Sequence, residues 1–384
     1  MKLSVSNIII FAAAVTLMAC ADKKDEKYSE IEQRAFDTWM ELHVNTDPSN
    51  PVAERLENGM YVQWLDRGAV ANQLNSGDWF TMNYTGTTLP DKYMNGRGRV
   101  FMTRDSLVAK QENTFSPYTH YVPQRSLLKN TQGFPSGVYD YVLKIMRKGD
   151  KARIFLPASK ANSLSAFRTT NGYGGSYGAS TGVAMIIDSL EIVDIIGPDP
   201  ITWEFTAVEN YAKNEWGMNI ESEEGKVEIK NEKTGNVTAL MFYQIITENY
   251  SGQNPTGEKP ILKDEDDNDL NPEVYLWYAG KFMDEFLFDT NVDSIGTRFR
   301  RNISAYDTLD YKIGSGNLIP AFDSLFKRDV VPYDSHCRMI LSSALGYPSG
   351  NYNSSSTSVY TEIQRYEPII FDVWVGPKPE EEED

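Results

Sequence analysis

Tyr311-Lys312-Ile313-Gly314-Ser315-Gly316-Asn317-Leu318-Ile319-Pro320-Ala321-Phe322 decides how this chain is read. Tyr311 to Gly314 reads as a turn, and Leu318 to Phe322 as the entry to a short helix over Phe322 to Phe326. The flanks are strand-like. Ala239 to Thr247 and Val274 to Tyr278 lie upstream, Arg338 to Leu341 and Ile369 to Val375 downstream, all rich in aromatic and β-branched residues. A helix-like stretch, Ala207 to Trp216, comes before them. Strands and a short helix in this order make an α+β unit.

The same order occurs earlier. Tyr28, Ile31, Ala35, Phe36, Trp39, Met40 and His43 mark an amphipathic helix that ends at Asp47-Pro48. Strands follow at Tyr61 to Leu65 and Phe80 to Tyr84, a short helix at Tyr139 to Met146, and strands at Lys151 to Leu156 and Val183 to Ile196. Tyr84-Thr85-Gly86 matches Tyr278-Ala279-Gly280, Phe101 matches Phe288, and Ile187-Asp188 matches Phe371-Asp372, at an offset that drifts little. The chain therefore reads as an internal repeat, with Gly197-Pro198-Asp199-Pro200 as linker.

Composition narrows the chemistry. A net charge of −17 in 384 residues argues against a nucleic-acid partner, which needs a basic face for phosphates. With 41% hydrophobic residues the chain can bury real cores. Three His and two Cys, far apart, leave no ligand pairs for a zinc site and little support for a Ser-His-Asp or Cys-His enzyme.

Six ordered motifs give both copies a resemblance to the FKBP-type peptidyl-prolyl isomerase domain. That family has a strand, Tyr-Thr-Gly, Phe-Asp, a Lys-Ile-Gly-like turn, Val-Ile-Pro-Gly-Trp opening the helix, Ala-Tyr-Gly, and a closing Phe-Asp-Val. The second copy shows Tyr278, Phe288-Asp289, Tyr311 to Gly314, Leu318 to Phe322, Ala344-Leu345-Gly346 with Tyr347 displaced by two, Ile363, and Phe371-Asp372-Val373. Phe322 replaces the pocket-floor Trp. The first copy keeps Asn83-Tyr84-Thr85-Gly86 and Met146 to Lys151, but Met102 follows Phe101, the Trp position falls at Val138 or Tyr139, and Ile187 replaces the closing Phe.

The resemblance implies two tandem FKBP-like domains, 28–197 and 201–377. Each would be a bent antiparallel sheet wrapped on a short helix and preceded by an amphipathic helix. It implies a prolyl-peptide pocket in the second, walled by Tyr278, Phe288, Ile319, Phe322, Ile363 and Phe371, with Asp289 as polar anchor holding Tyr278 or a loop. Prolyl isomerisation meets a barrier of about 18–20 kcal/mol set by amide resonance. It breaks no bond, so no metal or other cofactor is implied. A pocket that strips water from the tertiary amide suffices. The alternatives are a non-catalytic, chaperone-like peptide binder and a structural or glycan-binding surface protein.

The N-terminus reads as an address. Lys2, the apolar run Ile8 to Met18, and Leu17-Met18-Ala19-Cys20 resemble a bacterial lipoprotein signal, cleaved after residue 19 and lipidated at Cys20. An ordinary secretory signal is the alternative. Residues 20–27 form a tether, in which Lys24-Asp25-Glu26 resembles the export tag of surface lipoproteins in Bacteroides-like bacteria. Residues 378–384 are an acidic tail. The implied setting is the bacterial envelope: an outer-membrane lipid anchor on the periplasmic or surface face, and proline-containing segments of exported proteins as partners.

Three further signals carry little. Gly174-Gly175-Ser176-Tyr177-Gly178 fits a nucleophile elbow only between a strand and a helix. Asp264, Asp266 and Asn268 have EF-hand spacing, but Asp269 and Tyr275 replace the obligatory Gly and Glu. His336-Cys337 lies in a strand-like run, where packing is the simpler role for Cys337.

Overall fold

The computed structural model describes residues 30–68, 73–89, 100–104, 108, 120–121, 136–161, 169–170, 176–177, 184–246, 257–264, 266–298, 308–350, 352–353 and 360–377. The signal segment, Cys20, Tyr28 and the acidic tail lie outside them. The fold is α+β, with largely antiparallel sheets and few helices. It divides into two compact units. The first gathers the described residues of 1–74, 84–101 and 130–192, and the second those of 75–83, 102–129 and 193–384.

In the first unit, helix α1 (30–43) buries Phe36 and Met40 against Ala53, Tyr61 and Phe155. The apolar face is narrower than the spacing predicts, because Ile31 and Ala35 face solvent. Strands β1 (Glu54–Arg55), β2 (Tyr61–Asp66), β3 (Trp79–Thr88), β4 (Lys151–Leu156) and β5 (Met185–Gly197) lie in the order β1-β2-β4-β5-β3, the residues of β3 before Tyr84 and of β5 after Ile192 being counted with the second unit. The expected helix over Tyr139 to Met146 is broken into α2 (Ser136–Tyr141) and a 3-10 turn, Leu143–Ile145. The buried Asp150 carboxylate ties the turn before β4, accepting from the backbone N–H groups of Gly68 and Arg147. Ser176 sits in a two-residue strand, Ser176–Tyr177, paired with Thr169–Thr170 and not at a strand-to-helix elbow.

The second unit opens with helix α3 (Pro200–Trp216), seven residues longer at its start than the expected stretch. The residues read as a linker are its cap. The Asp199 carboxylate accepts from the N–H groups of Ile201 and Thr202 at 3.1 and 3.2 Å, and Pro200 opens the first turn, where no N–H is needed. Gly217, left-handed at φ 65°, ends the helix. Strands β6 (Lys226–Lys230), β7 (Val237–Ile246), β8 (Glu273–Phe282), β9 (Leu287–Thr290), β10 (Leu309–Lys312), β11 (Ser335–Leu341) and β12 (Ile369–Pro377) form a seven-stranded sheet in the order β6-β7-β11-β12-β8-β9, with β10 also on β8. Helix α4 (Pro320–Phe326) lies on one face.

Alternation along β12 divides the sheet's two faces. Phe371, Val373 and Val375 join the core that holds Phe322, Leu325 and Phe326 of α4. Ile370 turns the other way, to Val208, Tyr211 and Ala212 of α3. Strand β6 is not foreseen by the sequence reading. It pairs with β7 through a turn in which the Asn231 side chain accepts from the N–H groups of Lys233 and Thr234. The acidic insertion is a small hairpin closed by a bridge between Lys263 and Asp269. Asp264 there accepts from the N–H groups of Asp266 and Asn268, so its carboxylate serves its own turn.

Candidate functional site

The second unit brings six of the seven predicted site residues onto one core, with the seventh, Asp289, hydrogen-bonded to one of them. Phe288, Phe322, Ile363 and Phe371 are members of it, Tyr278 and Ile319 pack against it half-buried, and Asp289 follows Phe288 on β9. Phe371 is the hub. Its ring meets Phe288 at 5.8 Å and Phe322 at 5.7 Å, both edge to face, and Tyr278 at 6.1 Å. The edge-on geometry sets the positive ring edge of one aromatic against the negative face of the next.

Backbone geometry puts these rings together. Gly280 faces Asp289 across the β8–β9 ladder and Phe371 across the β8–β12 ladder. A Cβ on Gly280 would lie 2.7 Å from Phe288 Cε2 and 3.0 Å from Phe371 Cε1, so the missing side chain is what lets both rings close over the strand. The turn before α4 is fixed by Asp323, which accepts from the Tyr311 hydroxyl and, at 2.9 Å, from the Gly314 N–H. Burial and this carboxylate push the Tyr311 phenol up. Gly314 has φ +83°, a left-handed value that favours glycine. Pro320 then starts the helix that carries Phe322 inward.

The polar lip is built on Tyr278. Its backbone is clamped, with the N–H donating to Asn291 Oδ1 at 2.6 Å and the carbonyl accepting from Thr290 Oγ1 at 2.6 Å. Its hydroxyl donates to Asp289 Oδ2 at 3.0 Å, while Asp289 Oδ1 takes the Thr290 N–H at 2.9 Å. Asp289 therefore holds Tyr278, one of the two roles expected of it. Tyr347, outside the seven, also belongs here. It packs half-buried on the same core, and burial together with the nearby Asp289 carboxylate pushes its phenol up to about 12. The only sequence signal for it was a tyrosine two places beyond the Ala-Tyr-Gly position.

The arrangement joins a dry aromatic floor to a lip of phenols around one carboxylate. The rings of Phe288, Phe322 and Phe371 are buried, and the half-buried phenols of Tyr278 and Tyr347 lie at the edge of the cluster. It offers no activated nucleophile. Cys337 points into the core fully buried, which pushes its thiol up. His336 faces the other side of the sheet, stacked on Trp374 at 4.7 Å. There it meets Asp372 Oδ1 at 2.9 Å, and Lys281 Nζ meets Asp372 Oδ2 at 2.7 Å. Burial alone would raise the Asp372 carboxyl, but the His336 hydrogen bond and the Lys281 charge outweigh it and hold the group low.

In the first unit, Tyr84, Val138 and Ile187 are buried; the side chain of Phe101 lies outside the described ones.

No family model and no curated protein matches the sequence. Among solved structures, the chain is similar to the three FKBP domains of wheat FKBP73, at 12% identity over 84% of this chain and 95% of that one, TM-score 0.25. It is similar to AtFKBP13 at 17% identity over 36% of this chain and 93% of that one, TM-score 0.25. A peptidyl-prolyl cis-trans isomerase from Pseudomonas syringae pv. tomato gives 17% identity over 46% and 91%, TM-score 0.26.

Proposed function

We propose that the second unit is an FKBP-like domain that binds proline-containing segments and speeds their cis-trans isomerisation. One observation carries this reading: the Tyr278–Asp289 hydrogen bond stands at the lip of a floor made by Phe288, Phe322 and Phe371. The proline ring would rest on the phenylalanines, shed water from its tertiary amide, and leave the lip to orient the flanking chain. A twisted amide has lost resonance and prefers such a dry setting, so the site favours the transition state over the planar ground state.

We further propose that residues 28–197 form a related, inactive domain, because Met102 and Ile187 stand where the second copy has Asp289 and Phe371. The protein is proposed to be exported and lipid-anchored through Cys20 in the bacterial envelope, acting on exported proteins. The run from Lys2 to Cys20 supports that address. Cys20→Ala should abolish membrane fractionation; an unchanged membrane fraction would refute the anchor.

The site assignment is tested with a short proline peptide. Phe371→Ala or Tyr278→Ala should lower the isomerisation rate by roughly tenfold or more, about 1.4 kcal/mol. Tyr84→Ala and Ile187→Ala should leave it nearly intact, each variant being checked for folding by circular dichroism. Equal losses from both sets would sink the assignment.

A second reading, a structural protein without a peptide pocket, is favoured by the packing of these rings. Phe288, Phe322, Ile363 and Phe371 show almost no exposed surface, as in a filled core. Neither binding nor rate enhancement with a proline peptide would select it.

A further inference from the structure

We infer that Glu204 of α3 positions Tyr347 in the candidate site, so that the leading helix is a working part of the second domain. The inference rests on the reading of that site as a peptide pocket. Helix α3 packs on the sheet face opposite α4, through Val208, Tyr211 and Ala212. One turn earlier on the same side, Glu204 is only 2% exposed. A buried carboxylate carries a heavy desolvation cost unless it is bonded. Its Oε1 accepts the backbone N–H of Ser343.

Ser343 opens a 3-10 turn, Ser343–Leu345, that follows directly on β11. The first N–H of such a turn has no partner within it, and the Glu204 carboxyl oxygen supplies one. The rest of the segment is tightly fixed. The Ser342 N–H donates to the Leu240 carbonyl at 2.9 Å, and Ser342 Oγ accepts from the Leu240 N–H at 3.0 Å. Leu345 is buried, and a Cβ on Gly346 would lie 3.0 Å from Ile369 Cδ1. Tyr347 comes next, on the core shared with Phe288 and Phe371 and beside Asp289. The carboxylate thus sets the start of a turn whose exit aims the phenol at the pocket lip. Tyr347 touches the site, and Glu204 acts through the turn.

The test uses the full chain labelled with fluorotyrosine. The Tyr347 fluorine signal is the one lost in Tyr347→Phe. Glu204→Ala removes the acceptor; Glu204→Gln keeps a carbonyl oxygen in its place; Glu204→Asp keeps the charge but falls one methylene short. Glu204→Ala and Glu204→Asp should shift the Tyr347 signal and weaken turnover of an Ala-Leu-Pro-Phe anilide about fivefold, mainly through KM. Glu204→Gln should restore both. Glu204→Asp decides the matter if Glu204→Ala fails to fold. A folded Glu204→Ala or Glu204→Asp variant with an unmoved Tyr347 signal overturns the inference. If the unmodified protein neither binds nor turns over the peptide, the pocket reading fails, while the fluorine signal still decides whether Glu204 aims Tyr347.

Discussion

A methyl group at Gly280 has nowhere to go. Phe288 blocks it at 2.7 Å, and that ring is itself backed by Phe282 at a centroid distance of 5.1 Å. Gly280→Ala should cost about 1–3 kcal/mol from overpacking, measured as a shift in the urea midpoint. An unshifted midpoint would mean the rings step aside freely. Tyr278→Phe removes the bond to Asp289 and little volume, and should cost about 0.5–1.5 kcal/mol. Phe371→Ala empties the hub and should cost about 3–5 kcal/mol. Tyr278, Phe288, Asp289 and Phe371 could be found by motif spacing, because a ladder register converts sequence position into spatial position. Tyr347 could not be placed that way. It leaves a 3-10 turn, where a two-residue displacement still delivers a side chain to the same place. The need for glycine at 280 was equally hidden, since it arises from two rings contributed by distant strands.

Helix α3 shows how far an element can be read from its own residues. Its stretch from Ala207 to Trp216 reads as helical, but its start does not, because Asp199 and Pro200 suit a loop as well as a cap. Asp199→Ala should lower the stability of the second unit by about 1 kcal/mol through loss of the acceptor for two N–H groups. Urea unfolding followed by Trp fluorescence reads this, and an unchanged midpoint would show that packing alone sets the helix start. Strand β6 is hidden in the sequence for a different reason. Lys226-Val227-Glu228-Ile229-Lys230 alternates, yet only Val227 is buried and Ile229 lies exposed at the sheet edge. Its lysines guard that edge against further pairing. In α1 the apolar stripe overpredicted burial, since the sheet beneath meets the helix at Phe36 and Met40 and not one turn earlier at Ile31.

At the scale of the whole molecule, two acids pull stability in opposite directions with pH. Asp372 titrates below its unfolded value of about 3.9. Its contribution is present above that pH and lost as pH falls through the folded value. Burial raises Glu204 above its unfolded value of about 4.3, even with the Ser343 bonds opposing. Its contribution is full below that pH and lost as pH rises through the folded value. Urea midpoints from about pH 3 to 7 should therefore flatten on the acid side in Asp372→Asn and on the neutral side in Glu204→Gln. Profiles parallel to the parent would refute both assignments. The α+β class and the order of strands around a short helix were legible because apolar alternation is local, whereas the pairing of these acids depends on contacts across the sheet. One feature of that sheet has a use in the laboratory. Cys337, fully buried on β11, is flanked by β7 and β12. An alkylating reagent can reach it only in molecules whose central strands have parted. Iodoacetamide uptake at this position, followed by mass spectrometry, is thus a stopwatch for the breathing of the second unit. A bound peptide that bridges Phe371 and Tyr278 should slow it.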